Sequence, residues 1–268
     1  MNIFTPQEIA ENLGNIGANK GKLSFLKMVL LGIAAGAFIA FGGLAALTAS
    51  SGWPDPWAAS GLNKLILGAA FPVGLMLVVL TGAELFTGNN MFLAVSVLEK
   101  KSSVGELLKN WIVVYFANLI GALIIVAIVY FGNMLASGGE LTAVGTKALA
   151  VGQTKTGLSF GSAFFRAIGC NWLVCLAVWL ACGAKDVIGK IFSCFFPIMT
   201  FVLVGFEHSV ANMFFIPAAM LVPGSEITFA ALWGNLIPVT LGNIVGGAIF
   251  VGGLFWAAYL YPNRKKAE

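Results

Sequence analysis

Apolar side chains fall into six long runs along the chain, at about 25–47, 64–97, 107–131, 163–182, 187–221 and 232–259. Roughly 20 apolar residues suffice to carry a helix across the hydrocarbon core of a bilayer. The pattern therefore predicts six membrane-crossing helices and leaves no room for a soluble domain. The second and fifth runs are about 35 residues long, too long for one straight crossing. Each is interrupted by a polar stretch, GAELFTGNN at 82–90 and GFEHSVANM at 205–213. These interruptions predict broken helices, each made of two half-helices joined by irregular backbone.

The interruptions resemble each other, sharing Gly, Glu and Asn-Met-Phe with one residue of slack. They sit in the second run of the first three and the second of the last three. Three crossings reverse the direction of the chain, so a repeat of three must be inverted in the membrane. Inverted repeats with a broken helix in each half point to a permeation site near the midplane. The reading is an all-α membrane protein with an N-terminal cytoplasmic segment at 1–24, a six-helix channel domain at 25–262 and a basic cytoplasmic tail at 263–268.

Before the first run, TPQE at 5–8 reads as a helix start, with Thr5 as N-cap, Pro6 in the first turn and Glu8 closing a capping box. Ile9, Leu13 and Ile16 follow on one face, predicting a short amphipathic helix on the membrane surface. No apolar stretch stands where a cleavable signal would need one. Positive charge sets orientation, because cytoplasmic loops are enriched in Lys and Arg. With the N-terminus inside, eleven of the 15 basic residues fall on the cytoplasmic side. Lys64, Lys147, Lys155 and Arg166 fall outside, which supports both termini being cytoplasmic.

Composition sharpens this picture. Hydrophobic residues make up 59% of the 268 positions and charged ones only 10%, against about 25% charged in soluble domains. The net charge of +4 suits a membrane protein and does not point to nucleic acid. Cys170, Cys175, Cys182 and Cys194 lie in or beside apolar runs without metal-ligand spacing, as small buried hydrophobes do. No cofactor is expected.

Only Glu84 and Glu207 place carboxylates inside the runs, both at the breaks. They could line a pathway, or satisfy the orphan N–H groups of a half-helix start; the structural role is preferred, since carboxylates on a path would repel anions. His208 is the only histidine. Its imidazole can change charge near neutral pH, so beside a break it is read as a pathway residue, the other reading being a packed, hydrogen-bonded ring. No second ligand is spaced to make it a metal site. Asn171 and Asn243, amides in apolar helices, either tie the breaks to neighbouring spans or bond across helices. The sequence holds no HExxH, P-loop or GxSxG, so an enzyme is not expected.

Taken together, GAELFTGNN, GCNWLVCLAVW, GFEHSVANMFFIP and LGNIVGG resemble the formate/nitrite transporter family of bacterial channels over essentially the full chain. The resemblance implies an aquaporin-like protomer, six helices in two inverted repeats, assembled as a homopentamer among lipids in the bacterial inner membrane. It implies a pore in each protomer, with Thr87, Asn171 and His208 at its centre. Phe71 and Phe201 would form one hydrophobic constriction, and Leu75, Leu85 and Val174 the other, with Phe86 also at the pore. Asn212 belongs with the break residues, and Lys155 resembles a lysine that draws anions into the outer vestibule. The substrates implied are small monovalent anions of weak acids, formate, nitrite and hydrosulfide, neutralised at the narrowest point by a proton delivered through His208 or taken from water in the vestibule. Gly88 stands after Thr87 where formate-type members often carry serine, a slight lean toward nitrite-type or hydrosulfide-type members. The alternatives are a neutral-solute channel of aquaporin type, disfavoured by the absence of NPA motifs, and a membrane-embedded enzyme using Glu207 and His208.

Overall fold

The computed structural model describes residues 3–264, so residues 265–268 of the expected tail lie outside the described residues. Within it, α1 spans Pro6–Gly21, α2 Phe25–Ser50, α3 Gly61–Ala70, α4 Val73–Thr81, α5 Phe86–Leu98 and α6 Val104–Phe131. A short hairpin, β1 Ala136–Ser137 and β2 Glu140–Leu141, leads into α7 at Ala143–Thr156. Then come α8 Phe160–Gly183, α9 Val187–Leu203, α10 Ser209–Met220 and α11 Phe229–Ile244. A π-helical turn at Val245–Gly253 carries α11 into α12, Leu254–Tyr259.

Five helices are long and apolar enough to cross a membrane, with α3–α4 and α11–α12 each counted as one. The fifth run of the sequence is divided instead between α9, of 17 residues, and α10, of 12. Polar N-caps start the long helices: Ser24, Ser103, Ser159 and Thr228 each accept a backbone N–H from the first turn, which would otherwise be orphaned in an apolar setting. Many large apolar side chains, such as Ile112, Ile120, Ile128 and Phe165, point outward and are exposed. That is the surface a bilayer or a neighbouring subunit covers, not water.

The packing of the first half recurs in the second. Helix α1 lies on α5 as α7 lies on α10, and α2 packs along α6 as α8 packs along α11. Those long pairs meet backbone to backbone. A Cβ on Gly36 would collide with the Asn118 carbonyl, and one on Gly242 with the Phe164 carbonyl. Small residues permit this approach, which dispersion and hydrogen bonding reward where lipid removes the hydrophobic incentive.

The capping box on α1 forms as expected: Thr5 Oγ1 accepts from Glu8 N–H, and Glu8 accepts from Thr5 N–H at 2.7 Å. Its apolar face, however, does not lie on a membrane. Ile9 and Leu13 are buried against the protein, because α1 packs on α5 and α8. A backbone bridge from Ile3 to Ala184 and a Lys185–Phe4 cation–π contact at 4.1 Å hold the segment that precedes it.

Candidate functional site

Both breaks open on a glycine with left-handed backbone, Gly82 at φ 73° and Gly205 at φ 76°, which a Cβ would strain. From these glycines onward the two breaks run in step without a gap. Glu84 answers to Glu207, Leu85 to His208, Asn89 to Asn212 and Phe92 to Phe215. The one residue of slack in the sequence comparison disappears: the equivalent amides are Asn89 and Asn212, since each donates to its own break's glutamate, at 2.7 and 2.6 Å.

Each glutamate takes a lysine. Lys20 Nζ lies 2.7 Å from Glu84 and over the Phe92 ring at 5.2 Å. Lys155 Nζ reaches both Glu207 oxygens, at 3.0 and 3.2 Å, and lies over the Phe215 ring at 5.4 Å. The carboxylates therefore do not cap the half-helices. Asparagines from the neighbouring spans do that work. Asn118 accepts the Phe86 N–H at 2.9 Å and donates to the carbonyls of Gly32 and Glu84. Asn243 accepts the Ser209 N–H at 2.9 Å and donates to the carbonyls of Ala167 and Glu207. A second tier, Asn110 and Asn235, accepts from Asn89 and Asn212 and donates to the carbonyls of Lys20 and Lys155. An irregular backbone inside a membrane needs such partners for its N–H and C=O groups.

Of these residues, Lys20, Asn89, Asn110, Asn118 and Asn235 escaped the sequence reading. A signal was present: Asn110 and Asn118 are spaced in the third run as Asn235 and Asn243 are in the sixth. That shared spacing marks one helix face in both halves.

Among the polar residues that depart from the correspondence, His208, Thr87 and Asn171 gather at the centre. His208 Nε2 lies 3.0 Å from Thr87 Oγ1, and its Nδ1 accepts the Ala211 N–H at 3.1 Å. Because Nδ1 accepts, the ring's proton sits on Nε2 and is donated to Thr87, leaving the threonine hydroxyl its own proton to offer elsewhere. Asn171 donates to the carbonyls of Thr87 and Asn243 at 3.1 and 2.7 Å, binding the two halves at this point. Glu207 and His208 share no hydrogen bond, their side chains taking separate partners, so the catalytic pairing weighed for an enzyme is not formed.

Two cavities approach this centre from opposite sides. One, of about 440 Å³, is lined by Lys20, Asn89, Leu75 and Leu85. The other, of about 500 Å³, is lined by Lys155, Glu207, Phe71, Phe201 and His208. Phe71 meets Phe201 edge-on with centroids 5.7 Å apart, and Phe201 stacks on the His208 ring at 5.8 Å. Val174 and Asn171 are buried and line neither cavity. Phe86 lines neither as well: its ring lies edge-on to Tyr115 at 5.0 Å and Trp111 at 6.4 Å, facing α6. The cysteines form no disulfide, and no cluster of metal-ligating side chains occurs among the described residues.

Comparison with known proteins agrees with this fold. The family model described as formate/nitrite transporter matches residues 7–257. A "Probable formate transporter" of Methanothermobacter thermautotrophicus is 47% identical over 271 residues, covering 96% of this chain and 97% of its own. Among solved structures, an "FNT family ion channel" superposes with a TM-score of 0.86 at 29% identity, covering 94% of this chain and 98% of its own. A "Pentameric formate channel with formate bound" superposes at 0.76 with 37% identity, covering 88% and 98%.

Proposed function

Since the chain belongs to the formate/nitrite transporter family, we propose that it assembles as a homopentamer in the bacterial inner membrane and carries formate through a pore in each protomer. Its architecture on this reading is six crossings in two inverted repeats, with both termini in the cytoplasm and the Lys155 cavity facing out. The observation that carries the reading is the pair of cavities ending on apolar rings, with the His208–Thr87 pair between them. A bare anion would lose most of its hydration at those rings, a cost of several kcal/mol or more. A protonated weak acid would not.

Formate is preferred to nitrite and hydrosulfide because a relative and a structural neighbour carry that name, which outweighs the single glycine at position 88. His208 acts on this reading as a neutral donor. Charging the ring would place a proton on Nδ1 against the Ala211 N–H, so the ring supplies Nε2–H through Thr87 and the acid's proton comes from the vestibule water.

The test is uptake of formate, nitrite and hydrosulfide by proteoliposomes across a pH step. Formate should enter fastest, and its rate should follow the concentration of the protonated acid. Absence of uptake for all three would sink the proposal. His208→Phe, which removes the Nε2–H donor, should slow formate uptake at every pH while the pentamer stays assembled; an unchanged rate would remove the histidine from the pathway.

A further inference from the structure

The Lys155 cavity is bordered by four basic side chains, Lys64, Lys147, Lys155 and Arg166, and they are not equivalent. Lys155 is held against both oxygens of a buried carboxylate, so at a distance the pair presents a dipole with little net charge. Arg166 is exposed and turned onto the Gly205 carbonyl at 3.4 Å, and Lys64 is exposed. Lys147 alone is partly buried and fixed by a neutral partner. Its Nζ donates to Asn63 Oδ1 at 2.8 Å, and buried Asn63 is itself anchored through its amide to the Ser50 carbonyl at 2.9 Å.

Ser50 ends α2 and Asn63 lies in the first turn of α3, so this anchor sits where the chain turns between the two helices, next in sequence to Lys64 of the cavity lining. Lys147, Val151 and Lys155 follow each other along the face of α7 that lines the cavity. At 1.5 Å per residue, Lys147 stands about 12 Å from Lys155 along the helix. Neither ion pair among the described residues involves Lys147.

Resting on the anion-channel reading above, we propose that Lys147, oriented by Asn63, is the cation that recruits small carboxylate-type anions into this cavity, while Lys155 serves to lock the break. An ammonium with a neutral partner keeps its full charge, and one of its three protons is spent on Asn63, leaving the others for a passing anion. Partial burial strips some of its water and strengthens its field. The same burial pulls its pKa below the usual lysine range, with no carboxylate opposing it.

The experiment measures initial formate uptake by the full-length protein in vesicles at several ionic strengths. Lys147→Gln should raise KM about fivefold at low salt, with a smaller effect on kcat. The difference should shrink below about twofold once the Debye length falls near 3 Å. Lys147→Arg should behave as the parent does. Should Lys147→Gln fail to assemble, Lys147→Cys treated in assembled vesicles with thiol reagents carrying an ammonium or a sulfonate gives the same comparison. The ammonium should restore the rate and the sulfonate depress it. Uptake indifferent to the charge at this position overturns the inference alone. Parent vesicles that take up no formate overturn the proposed function, and this inference with it.

Discussion

A buried carboxylate is tolerated only while its partners stay. Glu84 and Glu207 each keep one lysine and one asparagine amide. Removing one member of such a buried pair strands a charge and costs about 3–5 kcal/mol. Lys155→Met should therefore lower the thermal stability of the purified assembly sharply, whereas Lys155→Met combined with Glu207→Gln should recover most of the loss. Thermal unfolding in detergent reads both; equal damage in the single and double variants would show that Lys155 matters for something besides this pair. The glutamates and the histidine stood out in the sequence because charge is rare there. Of the asparagines, the sequence singles out Asn171, Asn212 and Asn243, with a tie to the breaks weighed against a packing contact for Asn171 and Asn243. It passes over Asn89, Asn110, Asn118 and Asn235, since an amide in an apolar helix is more often an ordinary interhelical contact. What gives Asn118 and Asn243 the same role is the backbone N–H each accepts from a break in another helix, and that needs three dimensions.

At the scale of elements, the runs and both breaks were legible, because hydropathy and the need to pair every backbone group constrain helices strongly in a membrane. The destination of α1 was not. Its apolar stripe is equally suited to lipid or to protein, and only the tertiary structure places Ile9 and Leu13 against the protein, with Lys20 at its end reaching Glu84. The capping box gives this element a pH dependence. Bonds from the Thr5 backbone and hydroxyl hold the Glu8 carboxyl below the usual carboxylate range. A lowered folded pKa contributes stability that is present above the unfolded value and lost as pH falls through the folded one. Amide exchange in the first turn of α1, corrected for its intrinsic rate, should therefore speed up as pH drops through that window. Glu8→Gln should abolish the transition.

For the molecule as a whole, the correspondence between halves covers the Glu–Lys–Asn contacts at the breaks and the asparagines that accept the first N–H of each half-helix. Leu85 stands where the other half has His208, so one titratable ring serves two otherwise matched halves. Phe86 shows the limit of reasoning by resemblance: next in sequence to Thr87, which meets His208, its own ring faces α6, because the first turn of a helix swings successive side chains to different sides.

The hairpin between the halves carries Gly138 and Gly139, both with positive φ, at its exposed tip. Lys20, Glu84, Asn89, Asn110 and Asn118 all precede it, and Lys155, Glu207, Asn212, Asn235 and Asn243 all follow. Cutting the gene between those two glycine codons would sever no contact that closes either break. Two polypeptides, 1–138 and 139–268, produced in the same cell should find each other in the bilayer and co-purify as one transport-competent particle. If they did, the covalent join would be a convenience of synthesis, and the molecule would behave as a heterodimer written on one strand.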